Sequence, residues 1–302
     1  MSERSGFGER SGANANAVAP VAIGERGERG TREAEGDLRL AHAPAGMRRS
    51  AFAAAVRAEV LKGRRAAPRR IALVAPLPFC ALGAWAAGVF GGGGAGGAGL
   101  ATYGWNYWYV LMLPVAVSLI CVSVANIDAR QKLRPVLGLP IPLQHAWRAK
   151  VLYALLLTVA ANAVVALCSV TSAAVGGVAP GVLQSAPTLA VTAIGVAWMV
   201  PATLFLTVRL GTLAGIAVPL LAQVVLGLVF AQTKLWWAVP MAVALRAPAP
   251  VIGVAPSGVP LPPGDPMGTI DPLWFVGLGV AAAVAAGLAA AGTKWFANRE
   301  AK

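Results

Sequence analysis

Between Ile71 and Thr293 the chain carries only eight basic and three acidic side chains. Hydrophobic residues make up 57% of the sequence and charged residues 12%, which is the composition of a polytopic membrane protein. The expected fold is all-α. Six apolar stretches, at about 70–90, 107–127, 151–175, 187–208, 211–233 and 273–293, each approach the roughly 20 residues that cross about 30 Å of hydrocarbon.

The charges decide the orientation. Short loops rich in Lys and Arg stay in the cytosol, and 14 of the 25 basic residues precede Ile71. Six crossings from a cytosolic N-terminus return the C-terminus to the same side. Arg209 in the tight fourth-to-fifth turn and Lys294, Arg299 and Lys302 in the tail then lie inside, with only Lys234 and Arg246 outside. The groups Trp105-Asn106-Tyr107-Trp108-Tyr109 and Trp236-Trp237 fall at the expected outer boundary, where amphipathic rings favour the headgroup layer. The sequence therefore reads as a multi-pass plasma-membrane protein in contact with lipid on most of its surface. The same rule accounts for most of the net charge of +13, which speaks against a nucleic-acid partner; such a partner needs a basic face on a folded surface.

Three regions follow. Residues 1–46, with a repetitive GERGERGTREAEG core, cannot bury enough apolar surface to offset the entropy of ordering and read as a disordered cytosolic arm. The arm lacks the apolar centre of a signal peptide, and Met47 could serve as a later translation start. Residues 47–67 read as an amphipathic interfacial helix, with Phe52, Val56 and Val60 four apart and Arg57, Lys62, Arg64 and Arg65 around the rest; the alternative is a solvated basic linker. Pro68 then turns the chain into the body, residues 68–302. Gly91–Gly99 is an outer loop. Residues 234–272 are too broken by proline to span and too apolar to be solvated, so they should pack as short re-entrant or interfacial pieces, either a lid or a structural cap.

Chemistry-bearing constellations are scarce. The pattern G-x-x-x-x-G-K-[ST] is missing, so the chain itself offers no ATP-phosphate cradle. His42 and His145 have no second His or Cys nearby to complete a metal site, and Cys80, Cys121 and Cys168 lie singly in apolar runs as packing residues. No catalytic residue, cofactor or metal ligand is expected. Ser118, Ser123, Thr171 and Thr207 read as interhelical hydrogen-bond donors. Asn162 and Gln223 are the strongly polar mid-span residues, and no ionisable group lies deep in a span, as ion-coupled carriers usually require. Gly211 and Gly215 match the small-xxx-small pattern at a span edge.

The most distinctive polar feature is DARQKLRPVLGLPIPLQHAWRAK, Asp128–Lys150, a cationic island between two apolar runs. Taken with Phe52–Leu77, with the Asn106–Leu156 region that contains that island, and with WWAVPMAVALRAPAPVIGVAPSGVPL at Trp236–Leu261, it resembles the permease subunit of type-2 ABC exporters. The likeness is strongest to the lantibiotic-protection permeases. Asp128 stands where such relatives more often carry Glu, and Ser257 where they carry Asn.

The resemblance implies a separate ABC ATPase subunit pushing on a coupling loop at 128–150. In that reading Asp128 is the acidic residue that opens the coupling loop, Arg130, Lys132, Arg134, Arg148 and Lys150 meet acidic or dipolar groups on the ATPase, Pro140 and Pro142 stiffen the loop, and Trp147 anchors it in the headgroup layer. It also implies a second permease, identical or related, and a peptide or lipid-like cargo drawn from the membrane. A scaffold or sensor subunit and a membrane-embedded lipid-modifying enzyme built on Asp128 and His145 remain as alternatives.

Overall fold

The computed structural model describes residues 45–90, 104–129, 143–175 and 180–298. Most of the arm at 1–46, the Gly91–Gly99 loop, and Arg130, Lys132, Arg134, Pro140 and Pro142 of the cationic island lie outside the described residues. Among the described residues the fold is helical, the one bridge being the isolated Val254–Pro260 pair.

Helix α1, Ala45–Lys62, ends in a 3₁₀ turn at Gly63–Arg65. Helices α2, Ala67–Val74, and α3, Leu77–Phe90, replace the single first span expected at 70–90. Pro76 explains the break: proline has no amide hydrogen and its ring crowds the carbonyl one turn back. The chain restarts from it, with Phe79 N and Cys80 N donating to Pro76 O. A turn at Trp105–Tyr107, a wide π-helical turn at Trp108–Met112 and α4, Leu113–Ala129, form one continuous rod. Then come α5, Leu143–Val175, and α6, Pro180–Val196, followed by α7, Met199–Leu210, and α8, Thr212–Ala231.

Five helical segments are long and apolar enough to cross a membrane: Trp105–Asp128, Leu143–Thr171, Ser185–Leu210, Thr212–Ala231 and Pro272–Ala297. These are features of a multi-pass membrane protein. Each falls within a few residues of a stretch chosen from hydropathy except at the start of α5, which begins at Leu143. Trp147, Arg148 and Lys150 therefore ride on its first two turns and not on a loop.

Helix α5 is central, touching α1, α2, α4, α6 and α11, the last being Pro272–Ala297. Leu113, Val117, Ile120 and Val124 of α4 are fully buried with Ala154 and Ala161 of α5. Polar side chains tie spans together where no water competes. Trp108 Nε1 donates to Asn162 Oδ1 at 2.8 Å, and Trp198 Nε1 to Gln223 Oε1 at 3.1 Å. Trp105, Trp108 and Tyr109, expected in the headgroup layer, face this interior instead. Thr171 and Thr207 bond carbonyls one turn back in their own helices, at Leu167 and Thr203, and not a neighbouring helix; a hydroxyl in a helix finds that partner first. The Gly211/Gly215 pair has an intrachain explanation. Gly211 sits at φ +100° in the α7–α8 turn, and a Cβ at Gly215 would overlap the Thr207 hydroxyl.

The region 234–272 contributes short helices that pack on the body. After a 3₁₀ turn at Trp236–Ala238, helices α9, Pro240–Arg246, and α10, Ala249–Ile252, pack on α8 and α6. Gln223 Nε2 donates to Met241 O and Trp274 Nε1 to Ala247 O. Arg246 fastens this region: it lies 4.8 Å over the Trp236 ring and donates to Ala231 O and Pro266 O. Partial burial lowers its pKa, while Asp271 and Asp265 oppose that shift.

Trp147 is 1% exposed and stacks on Phe296, ring centroids 5.4 Å apart. Its indole lies so close to Gly292 that a Cβ there would come 2.7 Å from Cζ2. Gly292→Ala should therefore cost about 1–3 kcal/mol by overpacking, read as a lower melting temperature in detergent. Gly279→Ala, where a Cβ meets nothing within 4 Å, is the control. Equal melting of the two variants would show that the α5–α11 contact yields freely.

Candidate functional site: a ring of four buried charges

Lys62 ends α1, Asp128 lies one residue from the end of α4, and Lys150 lies in the second turn of α5. Glu59, one turn before Lys62, completes a closed ring. Lys62 Nζ stands 2.9 Å from Glu59 Oε1 and 3.3 Å from Asp128 Oδ1. Lys150 Nζ stands 3.2 Å from Glu59 Oε2 and also bonds Asp128 Oδ2. Each carboxylate thus bridges two ammonium groups, each ammonium bridges two carboxylates, and the net charge is zero.

Side-chain exposure is 4% at Glu59, 2% at Asp128 and 7% at Lys150, against 22% at Lys62. Desolvation opposes charge on Lys62, but hydrogen bonding and attraction from Glu59, then Asp128, outweigh it and raise its pKa. A raised lysine pKa contributes stability in full below the unfolded value near 10.4 and loses it only as pH climbs through the folded one. Across the physiological range that contribution is constant.

The local sequence builds this site. On α1 the buried face runs through Ala55, Glu59 and Gly63, with Phe52, Val56 and Val60 half-buried beside it. The stripe expected to meet lipid is thus flanked by protein, and α1 packs along α5. Leu61, on the opposite side, is 57% exposed. Gly63 is required for the approach, because a Cβ there would overlap the Tyr153 hydroxyl. Arg69 then locks the corner: its Nε donates to Tyr153 Oη at 3.2 Å and its Nη2 to Val60 O at 2.7 Å.

Of the residues singled out from the sequence, the fold brings Asp128 and Lys150 together and turns both inward. Trp147 is buried one turn of helix away, and Arg148 points outward and is exposed. His145 sits beside Phe52, ring centroids 6.1 Å apart. Glu59 was missed. It is the sole acid in 47–67 and stands three residues before Lys62, a helical ion-pair spacing that would have marked it. Among the described residues no three His, Cys, Asp or Glu side chains gather as metal ligands would.

Mechanically, the ring joins both flanks of the 130–142 connection to each other and to α1. Searches of protein-family models, of curated proteins and of solved structures found no match to this chain.

Proposed function

We propose that the chain is the permease subunit of an ATP-driven exporter of the type-2 ABC kind, with ATP hydrolysis on a separate subunit. In this reading it lies in the plasma membrane with both termini cytosolic, pairs with a second permease, and moves an amphipathic, lantibiotic-like peptide out of the membrane for self-protection. The helices α2 and α3, end to end, supply the sixth crossing. The observation that carries the reading is the ring. A cationic connection whose two flanks and neighbouring helix are clamped by buried charges suits an external motor, since a push is transmitted and not absorbed. ATP closure of the motor biases the spans only if its contacts differ between two states.

The test is reconstitution in vesicles with an ABC ATPase subunit. Hydrolysis should rise when the permease is present and rise again with cargo peptide. Cysteine labelling from outside should modify position 264 and spare position 145. Labelling of 145 alone would overturn the orientation, and an ATPase indifferent to the permease would overturn the transport reading.

A further inference from the structure

At the far end of the α4 rod from the ring, roughly 34 Å away at 1.5 Å per residue, Trp105, Asn106 and Tyr109 are buried to 2, 3 and 2% exposure. Among the described residues, Trp105 Nε1, Asn106 Oδ1 and Tyr109 Oη have no hydrogen-bond partner. Buried polar atoms are paired in more than about nine cases in ten, and buried Trp and Tyr usually find an acceptor. Three orphans within five residues form a cluster that one compact state leaves unsatisfied. The π-helical turn at Trp108–Met112 begins inside this cluster, and such wide turns concentrate at functional sites.

The turn at 253–260 lies against the cluster. Gly258, at φ +85°, sits so that a Cβ would come 3.5 Å from Asn106 Nδ2. The turn is stapled internally by Ala255 N to Val259 O, Gly258 N to Ala255 O and Leu261 N to Gly253 O. Gly253, which opens it, and Gly264, just beyond it, both hold positive φ. It can lift as one piece without losing its own bonds.

We propose that Trp105, Asn106 and Tyr109 form a binding site for the neutral amide groups of a peptide, closed in this structure by the 253–260 turn. An indole N–H and a phenol O–H meet an amide carbonyl, and the Asn106 carbonyl meets an amide N–H. Assigning the site to exported cargo rests on the export reading above. Binding itself does not, so the isolated permease is the test object, and failure here leaves ATPase coupling to be judged on its own.

The first measurement is thermal. Removing a buried orphan relieves the closed state, so Tyr109→Phe and Asn106→Leu should each melt a few degrees above the parent. A lower melting temperature for Tyr109→Phe would show a hydroxyl that already has a partner and overturn the site. The second uses the underside of the turn. With Cys80, Cys121 and Cys168 replaced by Ala, Val254→Cys, or Ile252→Cys should that variant not fold, reports lifting through maleimide labelling. N-acetyl-trialanine amide at millimolar concentration should accelerate labelling several-fold in the parent background and not with Tyr109→Phe. Labelling indifferent to the peptide, or equally accelerated in both backgrounds, overturns the proposal. A response to oleamide alone, the same group on a lipid tail, overturns the peptide assignment.

Discussion

Lys150→Met is expected to lower the stability of the protein by about 3–5 kcal/mol, the usual cost of breaking a buried ion pair from one side. The size follows from burial. An exposed pair contributes about 0–1 kcal/mol, but Lys150 and its two acids are at most 7% exposed, so removing the ammonium leaves Glu59 and Asp128 sharing Lys62 alone. The measurement is equilibrium unfolding in mixed micelles, followed by tryptophan fluorescence.

Adding Asp128→Leu to Lys150→Met should recover most of the loss. The double variant keeps the Glu59–Lys62 pair and no uncompensated charge, and apolar replacement of a complete buried pair is often neutral. The hypothesis that the ring fixes the register of three helices predicts that this recovered protein still couples poorly to its ATPase. A Lys150→Met variant as stable as the parent would mean that the four charges are solvated and that no rigid clamp exists.

How much of this was legible in the sequence depends on range. Hydropathy placed the spans from Trp105 to Ala297 to within a few residues at most ends, because lipid compatibility is a local property of some 20 residues. It does not report the break at Pro76, where one missing amide hydrogen decides the geometry and average hydropathy does not change. Hydropathy is also blind to rotation. The inward face of Trp105, Trp108 and Tyr109 is invisible to it, since only the facing Asn162 reveals that the Trp108 indole is satisfied inward.

The site was half legible for the same reason. Asp128 and Lys150 flank a conspicuous loop and drew attention as cations and acids near a membrane surface. Their mutual pairing spans 22 residues, and the pairing of Lys150 with Glu59 spans 91. No periodicity within one helix can report such contacts. The lysine expected to greet a partner protein is consumed inside its own chain, which shifts the coupling assignment onto the cations outside the described residues and onto Arg148.

That shift makes Arg130→Glu with Arg134→Glu the decisive variant for function. Each cation lost from a complementary interface removes attraction and each anion gained adds repulsion. If the export reading holds, four units of charge change should therefore abolish co-purification with the ATPase and the protection of cells from cargo peptide. The fold should be untouched, because the ring of Glu59, Lys62, Asp128 and Lys150 contains neither residue. Insertion should also survive, since Lys132 and Arg148 remain near the membrane and acids contribute little to orientation. Melting temperature and cysteine accessibility are thus the controls, and both should match the parent. If that variant still binds the ATPase and still protects, the cations serve orientation alone, and the clamp formed by the ring transmits no force from this connection.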